Sequence, residues 1–304
     1  MQTALFFLYL SSLACQSSKQ SEGQESLLVD NLDPETRFTD IQVFGTHNSY
    51  HIAPDTDVVS EWNYTHNPLA TQLSRGIRQL EIDVVWDPDN EEILVQHVPI
   101  LDPGSQCFTL MDCLSDIRTW SQGNQDHVPL QILIEPKTEI AAWAMTSHMD
   151  DLDQTLLEGL GDMIWSVDDQ WGEFSSLRES VIEEGWPTIG ELKGKAIIVL
   201  LDTGEPWDAY TREGSEIRDR VMFPLVDSEH DWAAYFLRDD PYSEEIATLS
   251  ETGFLIRTRA ETGLVFDQER WDIAYNGLSN AISMDTEEAL SHLDSEHPVR
   301  IIKE

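Results

Sequence analysis

The stretch VPLQILIEPK, Val128–Lys137, constrains the fold most. Leu130 to Ile134 is apolar at nearly every position, so a strand here has both faces buried. Runs of the same type recur at Ile41–Gly45, Ile77–Trp86, Ile93–Val98, Ala196–Asp202, Gly253–Ala260 and Asn280–Asp285. Helix-compatible stretches lie between them, at Pro68–Arg75, Thr109–Trp120, Ala141–Leu160, Phe174–Glu184 and Trp232–Arg238. Strands that alternate with helices predict a parallel sheet covered by helices. With 304 residues and 40% apolar content, one domain suffices. The expected fold is α/β, a distorted TIM-type (β/α)8 barrel over residues 36–304. A doubly wound open sheet is the alternative, but neither G-x-G-x-x-G nor G-x-x-x-x-G-K-[ST] occurs to support a nucleotide site.

Polar side chains gather where these runs stop. The first run ends in FGTHNSYH and delivers His47 and Asn48. The second carries Glu81 and Asp83, the third His97, the fourth Glu135 and Lys137, and a late one Arg257 and Arg259. In a barrel, catalytic groups occupy the C-terminal ends of strands. Residues i and i+2 of a strand share a face, so Glu81 and Asp83 project together from between Leu80, Ile82 and Val84. Two like charges on a buried face are costly unless a cation or a proton joins them. Asn48, Glu81, Asp83 and Glu135 form an oxygen donor set suited to a hard cation, Ca2+ ahead of Mg2+. His47 and His97 flank that set as candidate general base and acid. Lys137, Arg257 and Arg259 are candidates to meet a phosphate, with structural ion pairing as their ordinary role. His47 and His51 stand four apart, a zinc spacing that serves a helix, whereas this is a strand-to-loop turn.

Charge narrows the partners. Lys+Arg number 18 against 57 Asp+Glu, a formal net charge of -39. A nucleic-acid partner needs a basic face, and none is encoded. The same charge repels an anionic bilayer, and no basic or aromatic docking loop is evident. The expected state is a monomer.

The N-terminus reads MQTALFFLYLSSLACQSSKQ. Its apolar run is too short to span a bilayer and suits a signal peptide over residues 1–15. Leu13-Ala14-Cys15 has the form of a lipoprotein cleavage site, with Cys15 lipidated; an ordinary cleaved signal is the alternative. The Ser/Gln/Glu-rich residues 16–35 then form a flexible tether. The protein is expected to be exported, as an envelope lipoprotein or secreted, touching a membrane only through that anchor. In an exporting compartment Cys107 and Cys113 can bridge, or remain two buried thiols.

The segments GTHNSY, LEIDVVW, VQHVP and LIEPK, in that order, resemble the catalytic domain of phosphatidylinositol-specific phospholipase C. The bacterial calcium-dependent branch is the nearest in pattern, and CFTLMDCLSDIRTWSQGNQDHVPLQILIEPK and FLIRTRAET follow it too. The resemblance implies metal-assisted cleavage of a phosphodiester on a distorted TIM barrel. It implies that His47 stabilises the transition state or helps activate the inositol 2-hydroxyl, and that His97 protonates the departing diacylglycerol oxygen. It places calcium on Asn48, Glu81, Asp83 and Glu135, and a substrate phosphate near Lys137. A glycerophosphodiester phosphodiesterase-like enzyme is an alternative on the same barrel, although an early His-Arg pair is absent where His47-Asn48 stands. A non-catalytic anchored binding protein is the other.

Overall fold

The computed structural model describes residues 32–55, 59–286 and 299–303. The signal peptide, Cys15 and most of the tether lie outside these residues.

Eight strands run side by side in parallel: β1 (Ile41–Thr46), β2 (Ile77–Asp87), β4 (Leu130–Pro136), β5 (Ala196–Leu200), β6 (Met222–Pro224), β7 (Tyr235–Leu237), β8 (Leu255–Arg259) and β9 (Ala281–Met284). Their order around the sheet is β6-β5-β4-β2-β1-β9-β8-β7. The path ends at the three-residue strands β6 and β7, so the molecule is a nearly closed, distorted TIM barrel in a single domain. The other two strands among the described residues are appendages. β3 (Glu92–Val95) folds back antiparallel on β2, and β10 (Val299–Ile301) pairs antiparallel with β1.

Two readings of the chain change here. The run Ile93–Val98 is not a barrel strand but the return arm of a hairpin, because the polar turn at 88–91 is too short for a crossover helix. The apolar run Trp232–Arg238 contains strand β7 rather than a helix. It pairs with β8 from Tyr235↔Leu255 to Leu237↔Arg257, and that pairing decides what a seven-residue apolar run leaves ambiguous.

Register shows which face looks inward. Glu81 pairs with Leu133 and Asp83 with Glu135, while Leu80 and Ile82 pair with Ile132 and Ile134. The second set packs with Cys113, Leu114 and Ile117 of α2 (Leu110–Gly123) and with Leu152 and Leu156 of α3 (Met149–Leu160). The first set therefore faces the barrel interior. Tyr235 crosses that interior to donate its hydroxyl to Gln131 Oε1 at 2.8 Å, below Leu133 and Glu135 on the same strand face. On β1 the inward position is Gly45, where a Cβ would collide with the side chain of Gln79. The register of β1 on β2 slips between Phe44 and Gly45, and this irregularity leads directly into His47.

Thr109 caps α2, its Oγ1 accepting from the Asp112 amide at 3.1 Å. Beside that cap Cys107 and Cys113 are joined by a disulfide, with Cα atoms 5.1 Å apart. No helix among the described residues is long and apolar enough to cross a membrane.

Candidate active site

After β1 the chain turns at His47–Tyr50. Asn48 holds the left-handed region at φ 47°, which Asn tolerates better than most residues. The turn is locked to β2 from two sides. The Ser49 amide donates to the Glu81 carbonyl at 2.9 Å, and the Glu81 amide donates to Ser49 Oγ at 2.9 Å. His47 and Asn48 are thereby fixed beside the inward carboxylates of β2.

Ligand oxygens of Glu81, Asp83 and Glu135 all lie within 4.8 Å of one another. Asp83 is fully buried, and its Oδ2 is 2.9 Å from Lys137 Nζ, which also donates to Glu135 Oε1 at 2.6 Å. Burial first, and the Glu135 charge second, push the Asp83 carboxyl well above its ordinary pKa. Burial opposes the Lys137 ammonium, yet Asp83 and Glu135 overcompensate and hold its pKa above the usual lysine value. The cage thus holds more negative charge than Lys137 offsets. Asp83 Oδ1 and Asn48 Oδ1 are buried oxygens without a hydrogen-bond partner. Orphaned oxygens beside surplus carboxylate fit a hard, oxygen-seeking cation such as Ca2+.

His47 sits at the rim of this cage. Its Nε2 is 3.4 Å from Glu81 Oε1, and its Nδ1 is 3.3 Å from Asp285 Oδ1. Burial would raise the Asp285 carboxyl, but hydrogen bonding to His47 and the charge of Arg259 outweigh it and hold the pKa low. Arg259 pairs with that same carboxylate. Arg257 is buried between Glu81, at 2.6 Å, and Asp239. His47, Glu81, Glu135, Arg257 and Arg259 line a common cleft of about 390 Å³. All three cations expected to meet phosphate therefore already hold carboxylates, and Lys137 and Arg257 are buried.

His97 belongs to a neighbouring cluster. Its Nδ1 lies 2.8 Å from Asp102 Oδ2, and Nε2 of His51 reaches the same oxygen at 2.8 Å. His51 is thus engaged with Asp102, not with His47 in a zinc pair. Tyr64 joins the clusters. Its hydroxyl accepts from Asn48 Nδ2 at 3.2 Å, and its ring stacks on His51 with centroids 4.2 Å apart.

Asp285, Asp102 and Tyr64 escape a reading by strand ends. Asp285 had a signal, since it follows β9 directly. Asp102 had only its place five residues after His97 in HVPILD, and Tyr64 had none.

The family model described as phosphoinositide phospholipase C, Ca2+-dependent, matches residues 36–93 and 89–303. Among solved structures the chain is similar to a calcium-dependent phosphoinositol-specific phospholipase C from Pseudomonas sp. The identity is 15%, covering 92% of this chain and 100% of that one, with TM-score 0.66. A Ca2+-dependent phosphatidylinositol-specific phospholipase C from Streptomyces antibioticus is 18% identical over 87% of this chain and 98% of that one, with TM-score 0.64. The phosphatidylinositol-specific phospholipase C of Listeria monocytogenes is 14% identical over 89% and 97%, with TM-score 0.55. At such identities the structures speak for the fold. No curated protein matches.

Proposed function

Because this chain belongs to the Ca2+-dependent phosphoinositide phospholipase C family, a class of phosphodiesterases, we propose that it cleaves the glycerol-side P–O bond of a phosphatidylinositol-like phosphodiester. The observation that carries the reading is the gathering of Glu81, Asp83 and Glu135 oxygens within 4.8 Å, next to His47. Asn48, Glu81, Asp83 and Glu135 would hold calcium. Bound there, the ion neutralises charge that builds on the phosphoryl oxygens.

The chain's own groups handle the protons. His47, held between Glu81 and Asp285, assists removal of the proton from the attacking inositol hydroxyl. An internal hydroxyl already beside the phosphorus needs no recruited water for this step. His97 donates the proton that the leaving glycerol oxygen takes up as the P–O bond breaks. Arg259, at the rim of the cleft, is the cation best placed to meet a phosphate, although it must share itself with Asp285. With a net charge of -39 the protein avoids anionic bilayers, so the substrate is met as a soluble phosphodiester or in a zwitterionic surface. The N-terminal segment supports export, with anchoring through Cys15, and the enzyme acts as a monomer.

The test is release of inositol phosphate from phosphatidylinositol, with glycerophosphoinositol and glycerophosphocholine assayed alongside, in calcium and in chelator. Calcium-dependent turnover of phosphatidylinositol that His97→Ala abolishes is expected. Turnover that ignores the chelator, or confinement of activity to glycerophosphocholine, would sink the reading.

A further inference from the structure

We propose that Asp102 and His51 are positioning residues for His97, a reading that rests on His97 as the acid of the reaction. The carboxylate they share is a built feature. Asp102 and His51 are fully buried, while the His97 side chain is 20% exposed. Burial would raise the Asp102 carboxyl, but hydrogen bonds from His51 and His97 outweigh it and hold it ionised. An ionised carboxylate only accepts, so His97 Nδ1 carries the hydrogen of the 2.8 Å bond. That fixes the ring and leaves Nε2 as the nitrogen that exchanges a proton with substrate.

A single bond to His97 would leave Asp102 free to turn. His51 removes that freedom. Its Nε2 approaches the same Oδ2 from the other side at 2.8 Å, and its Nδ1 donates to the Tyr64 carbonyl at 2.9 Å. The short loop between the acid and its partner is also closed on itself. The Asp102 amide donates to the Val98 carbonyl at 2.8 Å, and the Val98 amide returns a bond to Asp102 at 3.3 Å. Trp62 lies edge-on to the His97 ring, with centroids 5.5 Å apart, and limits its swing. Each of these contacts constrains orientation.

The proton balance follows. Nε2–H of His97 gives its proton to the leaving alcohol oxygen, which keeps the electron pair of the broken P–O bond. The neutral imidazole left behind keeps its Nδ1 hydrogen on Asp102. Loss of this arrangement matters only where the leaving group needs a proton. A diacylglycerol alkoxide needs one, and a nitrophenolate does not.

The experiment compares phosphatidylinositol in detergent micelles with the nitrophenyl ester of inositol 1-phosphate. In Asp102→Asn, kcat on phosphatidylinositol should fall about 100-fold, and in His51→Gln about 10-fold, with KM within about twofold. On the nitrophenyl ester both should fall less than about threefold, and His51→Gln should add no loss to His97→Ala. Melting temperatures of the same samples report folding. Should His51→Gln fail to fold, Asp102→Asn, which keeps the shape of the carboxylate, carries the test. Equal losses on both esters, or full activity on phosphatidylinositol, would overturn the proposal. A wild type inert on both esters overturns the family activity itself, and this inference with it.

Discussion

The ammonium of Lys137, the residue that directly follows β4, lies 2.9 Å from Oδ2 of Asp83 on the adjacent strand β2, a buried ion pair at the barrel mouth. A lysine is thus the resident counter-charge of the carboxylate cage. Lys137→Met should leave Asp83 and Glu135 uncompensated and destabilise the chelated protein by about 3 kcal/mol. Calcium should then restore more stability to the variant than it adds to wild type, because it replaces the missing charge. Melting curves with and without calcium check this. Equal calcium shifts in the two proteins would show that Lys137 and the ion do not share one cage.

Asn48 is chosen twice over, for its backbone and for its oxygen. Asn48→Ala keeps neither the tolerance for φ 47° nor Oδ1, and Asn48→Asp keeps both. Isothermal titration should show calcium affinity falling about 10- to 100-fold in Asn48→Ala, and much less in Asn48→Asp. Unchanged affinity in Asn48→Ala would remove Asn48 from the donor set.

Much of this architecture is written in the chain, and the reasons differ by element. β4 is legible because burial on both faces leaves a continuous apolar run. Glu81 and Asp83 are legible because the period of a strand puts them on one face. β6 and β7 are not, since three residues carry no period, and the apolar run around Tyr235 suits either state. Ion pairing of Arg257 with Glu81 joins residues 176 apart in the chain, and only barrel closure sets such a contact. The same limit hides Asp102, because nothing local says that the turn after His97 will bring it back to the ring.

Folding should weaken in acid through His127. The ring is fully buried, and its Nδ1 donates to the Val128 carbonyl at 2.7 Å. Nε2 faces Ser121 Oγ at 2.8 Å and accepts its hydrogen. Burial pushes its pKa down from 6.5 to about 4. Between those values the unfolded chain binds the extra proton and the folded chain does not, so stability rises with pH across that window. It is complete above about pH 6.5 and falls by about 3 kcal/mol as the pH drops towards 4. In His127→Gln the part of the slope due to this ring should vanish, as read from urea midpoints at pH 4.5 and 7. An unaltered slope would place the titration elsewhere.

Ile100 occupies the tip of the loop that returns Asp102 to His97, and it does so at φ 74°. A β-branched residue is a genuine outlier in this region. Pro99 precedes it, and a turn with proline first and positive φ second favours Gly or Asn at the second place. The Ile100 side chain is 72% exposed, so little packing offsets the strain. Ile100→Asn should therefore stabilise the fold by about 1 kcal/mol, raising Tm by roughly 2–4 °C. Glycine should help less, because it adds freedom to the unfolded chain. A scanning-calorimetry series of Ile100, Ile100→Asn and Ile100→Gly decides the matter. If Asn lowers Tm, the exposed aliphatic is holding the loop through contacts that outweigh its backbone strain.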